Sequence, residues 1–223
     1  MKKILALIVL SIAMVSCYEE YLLDYPYTAV YFYLQQDVRT FVVGEGMKFT
    51  VGVTMGGVSD NTLDRNISFV LDNSLITAAR LAGMKIASQT YIKDATAGVA
   101  AFELLPTTHY TLSNNTTMVI KSGWYTGTVT VKADSVNFLN DSVKTCKLST
   151  YVLPFKITTA PEIDSILPLK NYNVVGTMFE NKLFGKYWHG GSALVNRTTN
   201  PNPWQRADTT IKYFTTVPCP ENR

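Results

Sequence analysis

Residues that carry chemistry are scarce in this chain. Its 223 residues include two histidines, His109 and His189, and three cysteines, Cys17, Cys146 and Cys219. Neither histidine has a second ligand at HExxH spacing and no CxxC occurs, so the patterns that build zinc sites are missing. No G-x-S-x-G elbow and no phosphate-cradling glycine loop is present; GEG at 44–46 and MGG at 55–57 read as turns. Glycoside hydrolysis needs two carboxylates, and two pairs come close in sequence: Glu162 with Asp164, and Asp134 with Asp141. Neither pair stands in a glycosidase motif, and both read as solvated acids at strand ends. The expectation is therefore a non-enzyme with no cofactor, no metal and no catalytic residue.

Long apolar runs are also missing, with one exception. Ile4–Val15 is apolar apart from Ser11 and follows Lys2 and Lys3. Twelve residues fall short of the roughly 20 that span a bilayer, and a basic start before a short apolar core marks a secretory signal. Met14-Val15-Ser16-Cys17 resembles the bacterial lipobox, in which the cysteine is lipidated and becomes the first residue of the mature chain. Two or more acyl chains anchor a protein stably. Glu19 and Glu20 resemble the export signal that sends Bacteroidota lipoproteins to the outer face of the outer membrane. The expected organisation is thus a signal over 1–16, a lipidated tether over 17–26 beginning at Cys17, and an outer-membrane location facing the exterior.

A basic excess is the third absence. Without Lys2 and Lys3, 18 basic residues face 17 acidic ones. No stripe remains to collect phosphates, which argues against nucleic acid as a partner. Export would permit a disulfide, but spacing alone leaves open whether Cys146 and Cys219 pair.

What is abundant is strand pattern. In KFTVGVTM, Phe49, Val51, Val53 and Met55 share one face and Lys48, Thr50, Gly52 and Thr54 the other, as in a half-buried strand. RTFVVGEG, ISFVL, HYTLS, MVI, GTVTVKAD and TYVLPFKIT continue the series, separated by turn residues such as Ser113-Asn-Asn and Ser122-Gly. NSLITAARLAGM (73–84) predicts one short helix with Leu75, Ile76, Ala79 and Leu81 on a face and Gly83 at its end. Strands spaced by turns predict an all-β sandwich over 27–160. Ala160-Pro161 reads as a boundary, followed over 161–223 by a short, incomplete second β-rich segment. Its strands are VVGTMF, GKYWHGG running into a Gly-Gly turn, and TIKYFTTV, with NRTTNPNPWQRAD as loop.

The order of phrases YPYTAVYF, RTFVVGEGMKFTVGVTMGGV, DRNISFVLD, LLPTTHYTLS, TYVLPFKIT and EIDSILPLKN is similar to one family. It is the Ig-like N-terminal domain of unknown function of Bacteroidota surface lipoproteins. These are often encoded with polysaccharide-utilisation systems, and the domain also precedes some endo-β-N-acetylglucosaminidase catalytic domains. The likeness covers about residues 25 to 170, and NKLFGKYWHGG resembles the start of the β-rich domain that often follows. It implies an Ig-like sandwich and surface glycan capture beside outer-membrane importer components. It supplies no binding residue. A structural spacer without a ligand, or the accessory part of a longer glycoside hydrolase, are the other readings.

Glycan capture needs an aromatic face for the C–H side of a sugar and a few polar groups for its hydroxyls. The candidates are Trp204 in the proline-stiffened loop NPNPWQ, the consecutive Tyr187 and Trp188, and Trp124 after the Ser-Gly turn. Asp-Ser/Thr-apolar triplets at 134–136, 141–143 and 164–166, and Asp208-Thr209-Thr210, resemble Bacteroidota O-glycosylation sites.

Overall fold

A computed structural model describes residues 27–182 in full, together with the backbone of 185–194 and 205–214. Eleven strands form one mixed, curled sheet. They are β1 (Ala29–Phe32), β2 (Gln36–Val43), β3 (Lys48–Gly56), β4 (Arg65–Leu71), β5 (Glu103–Leu104), β6 (Tyr110–Leu112), β7 (Thr117–Ile120), β8 (Thr126–Ala133), β9 (Tyr151–Thr159), β10 (Ser165–Ile166) and β11 (Tyr172–Asn181). The main path runs β10-β1-β3-β8-β7-β4-β9-β11-β2, with β6 on β8 and β5 on β9. Three pairs are parallel, β1 with β10, β2 with β11 and β5 with β9; the rest are antiparallel.

The sheet turns its corner at β7. This strand makes four pairs with β4 but a single one with β8, Ile120 with Gly127. A Cβ on Gly127 would lie 2.9 Å from the backbone of Val119, so only glycine lets the walls approach there. One wall is then β10-β1-β3-β8 and the other β4-β9-β11-β2. Between them lies an apolar core that includes Phe32, Val53, Met55 and Val131 from the first side and Phe41, Phe69, Phe155 and Phe179 from the second. This is the expected all-β sandwich, and the alternations read for KFTVGVTM and GTVTVKAD hold in β3 and β8.

The second wall is covered on its outer face as well. The β4–β5 connection carries a 3-10 turn (Asn73–Leu75), a helix (Ala78–Lys85) and a second helix (Thr90–Thr96). Leu75, Leu81, Met84, Ile92, Ala95 and Val99 pack there on Val38, Val152 and Val174. The single expected helix is thus corrected to a turn and two helices. Thr77 caps the first helix, accepting from the Arg80 amide at 3.3 Å, so it begins after Leu75; it passes through Gly83 to Lys85.

Pro154 lies inside β9, where proline is normally excluded. Its carbonyl accepts from the Asp72 amide at 2.9 Å. A strand residue's N and C=O point to the same side, so its missing N–H falls in the gap between β5, which ends at Leu104 opposite Val152, and β4, whose pairing begins at Leu71 opposite Phe155.

The Ala160–Pro161 boundary needs correction too. β10 pairs with β1, and β11 lies between β9 and β2 with Val174, Val175 and Phe179 buried. The sandwich therefore includes residues placed in the second segment. β12 (Gly185–Leu194) and β13 (Gln205–Phe214) form a separate antiparallel pair. β12 runs straight through Gly190 and Gly191, opposite Thr209 and Asp208, so the expected Gly-Gly turn and the loop assignment of Gln205–Asp208 do not hold. Cys146 is disulfide-bonded; Cys17 and Cys219 lie outside the described residues, as do the signal, tether and anchor.

Candidate functional site

At one end of the sandwich the β7–β8 turn, residues 121–125, meets the β3–β4 connection. The turn closes with the Trp124 amide donating to the Lys121 carbonyl at 2.9 Å. Gly123 holds φ +77 at the third position, as a type II turn requires. Asn61, only 1% exposed, sits beneath it. Its Nδ2 donates to the carbonyls of Lys121 (3.0 Å) and Trp124 (2.9 Å), and its Oδ1 accepts from Arg65 Nε at 3.0 Å. The Asn61 carbonyl accepts from the Gly123 amide at 2.7 Å.

Asp64 clips the other side. Its carboxylate takes Lys121 Nζ at 2.6 Å and the Ser122 amide at 2.9 Å. The lysine and then the amide hold this carboxyl below its ordinary value. Tyr125 donates its hydroxyl to the Ser59 carbonyl. With the backbone fixed this way, Trp124 remains 66% exposed and the neighbouring Leu63 57%. A rigid turn offering an indole and flanked by carboxylate and ammonium groups can stack on a sugar ring and bond its hydroxyls.

The other sequence candidates fare differently. Tyr187 and Trp188 stand in β12 opposite Lys212 and Ile211. Their side chains, and Trp204 altogether, lie outside the described residues. Sequence reading missed Asn61, Asp64 and Tyr125. Asn61 follows Ser59-Asp60 in a polar loop, and no local pattern announces its buried, bridging role.

The acids weighed for hydrolysis serve as clasps. Glu162 Oε2 accepts from the Asn66 amide at 3.1 Å, and its carbonyl accepts from Arg65. Asp164 Oδ2 accepts from the amide and hydroxyl of Thr28, each at 2.7 Å, and these bonds depress its carboxyl. A general acid needs the opposite shift. Asp134 caps the helix Ser135–Asn140 through the Asn137 amide at 2.9 Å, and Asp141 accepts from the Tyr151 hydroxyl. His109 packs edge-on to Tyr151 and Phe138 with Nε2 3.8 Å from Asp141 Oδ2. Among the described residues, no three His, Cys, Asp or Glu side chains are grouped to hold a metal ion.

Comparison with known proteins gives a family and a fold. A family model described as an N-terminal domain matches residues 25–164. No curated protein matches the sequence. Among solved structures, a Bacteroides ovatus protein of unknown function aligns over 85% of this chain at 18% identity, with a TM-score of 0.58. A multidomain Bacteroides ovatus protein aligns over 85% at 14% identity and a TM-score of 0.42. An auxiliary nutrient binding protein from Bacteroides thetaiotaomicron aligns over 81% at 13% identity and a TM-score of 0.40. The chain spans 65%, 57% and 55% of the lengths of these three. The matched span covers more than half of the chain and coincides with most of the sandwich, so the chain belongs to this N-terminal-domain family.

Proposed function

We propose that this protein is a lipid-anchored surface protein that captures glycan without cleaving it and presents it to a polysaccharide-utilisation system. The observation that carries the reading is Trp124, 66% exposed on a turn whose backbone is bonded to a buried asparagine. An indole presented on a pre-ordered turn binds a pyranose face without first paying the entropy of loop ordering. The engaged state of the candidate carboxylates supports binding over hydrolysis. The anchor reading rests on Ile4–Val15 and Cys17, and export on Glu19 and Glu20. Trp188 and Trp204 belong to the proposal by side-chain chemistry alone.

The test is affinity electrophoresis of the mature chain in gels loaded with individual polysaccharides. At least one polysaccharide should retard the parent, and Trp124→Ala should migrate as if the gel were empty. A parent that no polysaccharide slows would favour a spacer module. A Trp124→Ala variant slowed as much as the parent would remove this turn from the site. The anchor is checked by the intact mass of native protein extracted from outer membranes, which should correspond to a chain beginning at Cys17 plus three acyl groups.

A further inference from the structure

The corner of the sandwich that β7 closes stays open further along, where β6 takes over the edge of β8. The Phe69 amide donates to the Thr116 carbonyl at 2.8 Å, and beyond that bond β4 and the chain of 110–116 part. Between them is a cleft of about 460 Å³ lined by Leu71, Thr107, Tyr110, Thr111, Leu112 and Asn115. The loop above it holds the split open. Asn114 Oδ1 accepts from the amides of Thr116 and Thr117, each at 2.9 Å, and Ser113 Oγ accepts from the Thr130 amide at 2.9 Å.

Both sides of the cleft are strand edges. The Asp134 amide donates to the His109 carbonyl and the Ser113 amide to that of Thr130, so the odd-numbered residues here face β8. The N–H and C=O of Tyr110 and Leu112 therefore point into the cleft. Across it, the Asp72 amide reaches Pro154 on β9 while Phe69 faces the other way, so the N–H and C=O of Leu71 point in as well. Among the described residues, β6 pairs only with β8, and β4 ends its pairing with β7 at Ser68. Strand edges are usually covered, charged or bulged away; these two face each other across open space. The side chains of Leu71, Tyr110 and Leu112 pack on the central core and give the cleft an apolar floor. Thr107, Thr111 and Asn115 at the rim are exposed.

These features select the occupant. No charged side chain lines the cleft, so an ionic head group would find no counter-charge. The groups on offer are main-chain donors and acceptors at every second residue, the repeat of an extended polypeptide. Rise, strand spacing and sheet thickness give a strand residue roughly 160 Å³, so the cleft takes about three, which is the length of β6. Alternate side chains of such a guest would lie on the apolar floor. We propose that the cleft docks an extended segment of a partner protein, with apolar residues at alternate positions, as an added strand between β6 and β4. The beginning of the described chain points to a separate polypeptide as the source. Tyr27 lies against Gly57, at the far end of β3 and three strands across from β6.

The experiment is NMR of the isotopically labelled mature chain titrated with the capped peptide acetyl-Thr-Val-Thr-Val-Thr-amide. In the chain alone, the amides of Leu71, Tyr110 and Leu112 should exchange with solvent faster than that of Thr111, which belongs to the β8 ladder. The peptide at millimolar concentration should shift all three saturably and slow their exchange. Methylating both valine nitrogens should weaken binding about tenfold, the value of one or two main-chain hydrogen bonds. Leu112→Pro should abolish binding, because the N–H it removes faces the cleft and not β8. Trp124→Ala should leave binding unchanged. Should Leu112→Pro fail to fold, the methylated peptide against the parent decides. No saturable shift, or equal binding of the methylated peptide, overturns strand addition. Slow exchange at Leu71 and Leu112 before peptide is added would mean that the chain's own residues fill the cleft. Shifts at these amides with cellobiose or maltose but not with peptide would make it a sugar subsite. Either result also overturns the partner strand.

Discussion

β8 and β9 belong to opposite walls of the same sandwich and follow different patterns. In β8, Val129 and Val131 are buried while Thr128 and Lys132 are exposed. In β9, five consecutive residues, Tyr151–Phe155, are buried. The difference follows from what covers each wall. β3 and β8 have a core on one side and water on the other, which selects alternation. β9 and β11 have the central core on one side and the helices of 73–96 on the other, which selects continuous apolar runs. The two-sided wall is scaffold. The one-sided wall carries the candidate binding turn, since Trp124 leads into β8.

The largest effect should come from testing this asymmetry directly. Leu153→Ala on the inner face and Met84→Ala beneath the helices, both 0% exposed, should each lower stability by about 2–5 kcal/mol. Lys132→Ala on the water face of β8 should stay within about 0.5 kcal/mol of the parent. Urea midpoints at constant m-value report all three. If Met84→Ala proved as mild as Lys132→Ala, the helix layer would be a loose cover and the two-sided description of this wall would fail.

A middle-sized effect is expected where the one-sided wall supports its turn. Asn61→Ala removes two donors from the carbonyls of Lys121 and Trp124 and an acceptor from Arg65. Loss of about 1–3 kcal/mol should follow, read as a lower Tm, together with weaker retention in whichever polysaccharide gel slows the parent. Trp124→Ala should abolish retention with Tm nearly unchanged, since its side chain is mostly solvated. Retained binding in Asn61→Ala with the expected Tm loss would mean that the indole does not need a rigid turn.

Much of the one-sided wall was legible in sequence, because water on one face writes polarity into every second residue. The faces of KFTVGVTM and GTVTVKAD came directly from that. The two-sided wall hid more. YVLPFKIT announced a strand but not its second covering layer, and the helix Thr90–Thr96 escaped because only Ile92, Ala95 and Thr96 are buried along it. The Ala160–Pro161 boundary misled for a related reason. Pro161 and the turn residues after it break local pattern, yet β11 returns to complete the sheet through the non-local register of Val174 with Gln36 and Pro154. For the site, Trp124 was found as an aromatic beside a turn. Asn61 was not, since its buried side chain is held by carbonyls some sixty residues away in sequence.

The smallest expected effect compares the ionic clips of the two walls. Asp64–Lys121 secures the Trp124 turn; Asp72–Lys156 ties the end of β4 to β9, with Nζ and Oδ2 2.6 Å apart in each. Asp72 is the less exposed carboxylate, at 21% against 49%. Lys156 first, then the hydroxyl and amide of Ser74, lower its carboxyl from 3.8 to about 2. A depressed folded-state value means that the unfolded chain takes up the proton first. The contribution is therefore complete above about pH 4 and is lost as the pH falls from there to about 2. Asp72→Asn should lower the urea midpoint slightly at pH 6, and the gap from the parent should narrow across that acid window. The Ser74 cap should add little to the gap, because the asparagine oxygen still accepts from that amide. A gap that stayed constant from pH 6 to pH 2 would show that the Lys156 pair contributes nothing to folding. The two-sided wall would then rest on apolar burial and not on this ion pair.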